Sequence, residues 1–321
     1  RDTRERGSQA GMTLGFSVKI LASAALLLAA ACGKVERAPD AAPVSAVWPT
    51  PDPSSLAEGP HKQDVLYGEA LIRRTHALVG PNVANAAMRY AGNNLACSSC
   101  HLDGGRRRYG LSLIGVAGAY PRDMARENAM QSLAQRINGC FERSMNGRAL
   151  PENSREMAAI IAYIGFLSDA APADMEDRGA PAIQQMERAA DPARGATIYS
   201  ANCAVCHGAN GQGLRNTNGE GYSYPPLWGP DSFNTGAGMH RIITAANFIR
   251  ANMPYGVTHE SPQLTAEQAF DVAAFINVQP RPERDHLDRD YPDRTQKPVD
   301  APFPPYADDF TREQHTFGPW G

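Results

Sequence analysis

Two five-residue strings constrain this chain more than any other feature: Cys97-Ser98-Ser99-Cys100-His101 and Cys203-Ala204-Val205-Cys206-His207. C-x-x-C-H is the attachment sequence of c-type haem, in which two thioethers hold the macrocycle and the adjacent His ligates iron. A pair of zinc or dithiol redox sites is the bland reading of two CxxC strings. Their recurrence, each inside a similar helical context, favours haem.

That context repeats. Asp191-Pro192 supplies an N-cap and a Pro at the first helical position, opening a helix through Gly195, Ile198 and Tyr199. After the second motif comes a long loop, then Thr265-x-x-Gln268, a capping box. The helix it opens carries Ala269, Val272, Ala273 and Ile276 at i, i+3, i+4, i+7 spacing. In the first half, a helix over about 62–79 carries Gly68, Leu71 and Ile72. A closing helix from Ser154 carries Met157, Ile160, Ile161, Ile164 and Leu167. In each half an early Gly lets a late helix cross closely. This is the cytochrome c plan, twice: a mainly α chain with long loops. Gly68 precedes Cys97 by 29 residues, whereas Gly195 precedes Cys203 by 8, so an insertion sits before the first haem.

The sequence divides accordingly. Residues 1–32 read as upstream residues plus a leader, 33–60 as a Pro/Ala tether and 61–170 as the first haem domain. Residues 171–190 form a linker, 191–279 the second haem domain and 280–321 a tail. The tail is Pro-rich and charged. Its recurring aromatics Tyr291, Phe303, Tyr306, Phe310, Phe317 and Trp320 argue against disorder and for an extended strap packed over the surface.

From Met12 the text MTLGFSVKILASAALLLAAACGK has the charge, apolar run and small-residue site of a secretory signal, so residues 1–11 are expected to lie upstream of the start. Cys32 follows Ala-Ala-Ala as the lipid-modified cysteine of a bacterial lipoprotein does. The alternative is plain cleavage that frees a soluble periplasmic protein. Haem attachment outside the cytoplasm agrees with either. A net charge of −3 gives no reason to expect nucleic acid as a partner.

Six cysteines minus four thioethers leave Cys32 and Cys140. A disulfide between them is one reading, weakened by the terminal place of Cys32. The other makes Cys140, 39 residues past His101, the distal iron ligand of the first haem, with Met145 as the ordinary His/Met competitor. Spacing alone leaves these two open. For the second haem Met253-Pro254, 46 residues past His207, is a loop Met held rigidly by its Pro; Met239, His240 and His259 are the rivals. Between Cys97 and Leu150, eight arginines face four acids, a local net charge of +4. Arg106, Arg107 and Arg108 are read as solvated or as partners of haem propionates. Arg136 and Ser144, four residues either side of Cys140, share its face if that stretch is helical.

The run RINGCFERSMNGR (136–148) resembles the signature of the dihaem thiosulfate dehydrogenase family, which includes tetrathionate reductases. So do GNNLACSSCHLDGG (92–105), PPLWGPDSFN (225–234) and KPVDAPFPPYADDF (297–310), so that the likeness spans about 60–321. The resemblance implies two covalently bound haem c groups. The first, ligated by His101 and Cys140, is the active site; the second, ligated by His207 and Met253, is the electron exit. It also places Arg126, Arg136 and Ser144 at the substrate. Where some members carry Lys before the Met and exchange ligands, this chain has Asn252. The implied reaction is the interconversion of thiosulfate and tetrathionate. Electrons would pass to a soluble periplasmic carrier such as a cytochrome c, and a lipid anchor would give membrane attachment. A non-catalytic dihaem electron carrier would want two His/Met sites and no anion pocket. A dihaem peroxidase would want a haem open to peroxide, which a bound Cys140 speaks against.

Overall fold

In the computed structural model, residues 48–172, 175 and 180–321 are described. The leader, Cys32, most of the tether and part of the linker lie outside them. The first half runs α1 (Pro60–Arg73), α2 (Thr75–Leu78), β1 (Arg122–Met124), β2 (Ala129–Gln131), α3 (Leu133–Arg143) and α4 (Arg155–Asp169). The second runs α5 (Pro192–Asn202), α6 (Ala204–His207), β3 (Leu214–Arg215), β4 (Tyr222–Tyr224), α7 (Ile242–Asn252) and α8 (Ala266–Asn277), with α9 (Arg312–Phe317) in the tail. The only sheets among the described residues are the antiparallel hairpins β1–β2 and β3–β4. None of the described helices is long and apolar enough to cross a membrane.

Each half is built on one helix crossing. A Cβ added to Gly68 on α1 would lie 2.0 Å from the Ala159 carbonyl oxygen of α4, and one added to Gly195 on α5 would lie 2.0 Å from that of Asp271 on α8. Only glycine permits backbones that close, so the two early glycines fix the scaffold on which each haem motif is presented. Local chemistry sets the ends. Ser154 accepts from the Met157 N–H, Asp191 from those of Ala193 and Arg194, and Thr265 and Gln268 close a reciprocal capping box. The inner faces of α1 and α4 bury Val65, Leu71, Met157, Ile160, Tyr163 and Leu167, while Tyr199, Ala246, Phe270, Val272 and Ala273 fill the second core.

Two expectations need correction. The helix expected over 62–79 breaks at Arg74 (φ −133°, ψ 37°). There Thr75 Oγ1 donates to Leu71 O at 2.7 Å and accepts from the Cys97 N–H at 3.0 Å, so the break ties the helix end to the first haem motif. The long loop expected before Thr265 contains β3–β4 and all of α7. Ile242, Ala245, Ala246 and Ile249 keep helical spacing there and bury the apolar face of α7 in the second core.

The insertion before the first haem joins the two halves. Buried Asn93 donates to the carbonyls of Ser144 (3.0 Å) and Ser232 (3.1 Å), and the Asn94 N–H donates to Asp231 Oδ1 at 2.8 Å. The tail touches both halves. Asp290 accepts from Arg143 through both carboxylate oxygens (2.7 and 2.6 Å), Asp300 accepts from Arg241 (2.7 Å), and the Ala190 N–H donates to Phe317 O at 2.8 Å.

Candidate haem sites

A cavity of about 300 Å³ opens in the first half, walled by Ile72, Leu113, Ile137, Phe141 and Ile160 and reached by Cys97, Cys100, His101 and Cys140. His101 Nδ1 lies 2.5 Å from Leu111 O. A carbonyl can only accept, so Nδ1 carries the proton and Nε2 keeps its lone pair for a metal. The second motif repeats the device: buried His207 donates from Nδ1 to Pro225 O at 2.8 Å. Two thiols, a His of fixed tautomer and apolar walls fit a covalently held haem in the first half. The second half offers Cys203, Leu227, Trp228 and Met253 packed in one cluster beside His207 and Cys206.

Cys140 and Met145 both reach the first cavity, but they differ in surroundings. Met145 is part of the buried hydrophobic core. Cys140 lies on α3, whose Ser132–Gln135 capping box aligns Arg136 one turn before it. Arg136 donates to Cys140 Sγ at 2.9 Å. Burial alone would push this thiol up, yet the Arg136 guanidinium, which leads the opposing effects, pulls it below its ordinary value. That favours the thiolate, the form that binds metals and attacks sulfur. The thiolate in turn holds the Arg136 guanidinium firmly charged, against the opposing effect of burial.

Ser144 caps α3 at its C-terminus and lines the same cavity. Arg126 is not among the lining residues: its Nε donates to the Tyr291 hydroxyl at 3.3 Å and lies 3.9 Å from Asp290. The solvated reading of Arg106 is also corrected. Arg106 is ion-paired to Glu69, with 14% and 18% of the two side chains exposed, and donates to Pro51 O at 2.9 Å. Arg107 donates to Val257 O at 2.6 Å, Arg143 pairs with Asp290, and Arg148 stacks 4.0 Å over Tyr90. Of the eight arginines around this haem, Arg136 is the one that lines the cavity.

Near the second haem, Met253 is the residue after the last turn of α7, and its N–H donates to Ile249 O at 2.8 Å. Preceding it, buried Asn252 donates from Nδ2 to Tyr109 O (2.9 Å) and Phe248 O (3.0 Å), tying this segment to the loop after His101. Of the rivals, His259 holds Glu260 through Nδ1 at 2.8 Å beside the Tyr109 ring, and the His240 ring is hydrogen-bonded to the backbone of both Thr235 and Asn277. Met239 lines the first cavity together with Tyr120 and Phe233. Sequence reasoning did not find the last two. Phe233 does lie in PPLWGPDSFN, one of the runs that carry the family resemblance, whereas Tyr120 lies in none of them.

Residues 87–173 match the SoxA/TsdA cytochrome c domain family and residues 192–279 the cytochrome c family. The chain is 40% identical to a thiosulfate dehydrogenase of Stutzerimonas stutzeri over 238 residues, 73% of this chain and 75% of that protein. It is 40% identical to one of Allochromatium vinosum over 225 residues, 68% of this chain and 81% of that protein. Among solved structures it resembles the "as isolated" form of the thiosulfate dehydrogenase TsdBA from Marichromatium purpuratum, with a TM-score of 0.67 and 38% identity. That match covers 74% of this chain and 50% of the other. These matches and the two haem motifs make the chain a protein of two tandem cytochrome c domains carrying two covalent c-type haems.

Proposed function

This chain belongs to the thiosulfate dehydrogenase family, and on that footing we propose that it joins two thiosulfates into tetrathionate with release of two electrons, at the cavity where Arg136, Cys140 and His101 meet. The observation that carries the reading is the 2.9 Å contact between the Arg136 guanidinium and Cys140 Sγ. When bound, the two haems supply two one-electron acceptors, one for each electron released.

The chain's own residues do the rest. His101 and Cys140 are the ligands proposed for the first haem, His207 and Met253 for the second. Thiolate ligation favours the ferric state and Met ligation raises the potential, a gradient that runs from the first site to the second. Bringing two dianions to ~5–7 Å at an effective dielectric of ~20 costs on the order of 10 kcal/mol. Arg136 opposes that repulsion with a fixed charge whose planar fork suits sulfonate oxygens, and Ser144 adds a hydroxyl on the same side. The apolar walls exclude water and so strengthen both contacts. With Arg126 engaged by the tail, the anion site rests on Arg136 and Ser144.

Run backwards, the same site reduces tetrathionate. We read Met12–Cys32 as an export leader with lipid attachment at Cys32, which places the enzyme at the periplasmic face of a membrane. A soluble periplasmic carrier such as a cytochrome c then takes the electrons. The deciding experiment assays thiosulfate-dependent reduction of a one-electron acceptor, and tetrathionate reduction in reverse, with wild type and Cys140→Ala. A wild-type protein that is fully haem-loaded and inactive in both directions would leave a dihaem electron carrier as the function.

A further inference from the structure

Arg281 is a cation between the two haem sites with no carboxylate partner among the described residues. Its NH2 donates to Ile276 O at 2.7 Å and its NH1 to Leu227 O at 3.3 Å, while Nε is buried with no hydrogen-bond partner. Its guanidinium lies 4.3 Å over the Phe233 ring, and Phe233 lines the first haem cavity. Leu227 belongs instead to the second site: it packs with Cys203 and Met253, two residues after the Pro225 carbonyl that holds His207. Burial pulls Arg281 down to about 10. Beside it, burial first and the Arg281 charge second pull His240 down to about 4, and the amide of Asn277 is buried with neither polar atom partnered.

A desolvated guanidinium met only by two carbonyls and an aromatic face lacks the counter-anion that makes such burial tolerable. Covalent haem brings two propionate carboxylates, and a carboxylate matches the open edge of a guanidinium fork. We propose that Arg281 is the counter-ion of a haem propionate at the junction of the two haem sites, and that its charge raises the reduction potential of that haem. The inference rests on the presence of two haems and not on the thiosulfate reading, so it stands or falls separately from that activity.

The test is potentiometric titration of both haems in wild type, Arg281→Gln and Arg281→Lys, with haem content checked by intact mass. Removing the charge favours the ferric state. In Arg281→Gln one haem should fall by at least a tenfold shift in its one-electron equilibrium, about 59 mV. The haem that moves identifies the propionate, and Arg281→Lys should fall less than half as far. Two unmoved potentials, or a Lys variant that falls as far as the Gln variant, would overturn the proposal. So would unmoved potentials with a raised KM for thiosulfate, which would make substrate the anion. Should Arg281→Gln lose haem, redox-difference infrared spectra of wild type with and without isotope-labelled arginine decide instead. A guanidinium band that shifts on haem reduction is expected, and its absence refutes the pairing.

Discussion

Arg136 NH1 sits 2.9 Å from Cys140 Sγ, one helical turn away on α3, so a single helix face presents a thiolate and its counter-charge to the same cavity. Replacing Cys140 separates chemistry from assembly, because thioether formation uses Cys97 and Cys100 instead. Cys140→Ala and Cys140→Met should keep a mass of two haems and lose turnover. Near-normal rates in either variant would remove the thiolate from the reaction.

Arg136 and Arg106 now make a sharper pair than two exposed charges would. Arg136→Gln loses a charge-assisted contact worth ~1.5–3 kcal/mol, or roughly one to two orders of magnitude in kcat/KM. Arg106→Gln should leave kcat/KM intact but lower the melting temperature, since half-buried Glu69 then keeps Arg73 alone as its cationic partner. Rates corrected for haem content, beside thermal melts, check both. An Arg136→Gln enzyme with wild-type kcat/KM moves the anion site elsewhere.

Met253→Gly should lower the potential of the second haem and slow electron exit, with thiosulfate KM unchanged. Asn252→Leu should weaken the same ligation more mildly, because it releases the hydrogen bonds to Tyr109 O and Phe248 O that hold the end of α7. Visible spectra and redox titration report both. An unchanged second-haem potential in Met253→Gly would mean that another side chain is the ligand.

Much of this architecture is written locally. The caps at Ser154, Asp191 and Thr265 depend on neighbours three residues away, and the crossings at Gly68 and Gly195 follow from repeats flanking the haem motifs. Counting sulfurs singles out Cys140. What sequence did not reveal depends on distant partners. Arg106 finds Glu69 37 residues back, Asn94 finds Asp231 137 residues on, and Arg143 finds Asp290 147 residues on. An arginine-rich run looks like one positive field until those partners are known, and then only Arg136 remains for the cavity. The missed helix α7 was legible in its apolar spacing but was hidden by the expectation of a loop between motif and closing helix.

The two crossing glycines should tolerate no side chain. In Gly68→Ala the new methyl would meet the Ala159 carbonyl at 2.0 Å, and the helices must part. Overpacking of this kind costs about 1–3 kcal/mol or more. Gly165→Ala, also in the first domain's crossing pair but with nothing within 4 Å of the added carbon, is the control. Thermal melts should drop for Gly68→Ala alone; equal melts would remove the crossing as a constraint.

Asp271 should give the second domain its own acid sensitivity. Its side chain is 3% exposed and accepts from Arg188 at 2.8 and 2.9 Å and from the Asp191 N–H at 2.8 Å. Burial raises its pKa, but Arg188 and the Asp191 N–H outweigh burial and hold the carboxyl below its ordinary value. The folded protein therefore binds fewer protons at this position than the unfolded chain does. The stabilisation is complete above the unfolded value of about 3.9 and is lost as pH falls through the lower folded value. Asp271→Asn keeps the volume and removes the charge, costing about 1.5–3 kcal/mol at pH 7. The gap between the melts of wild type and variant should hold from neutrality down to about pH 4 and close only as the pH falls through the lower folded value. A gap that does not shrink at all on further acidification would show that packing under the Gly195 crossing, and not the ion pair, is what Asp271 contributes.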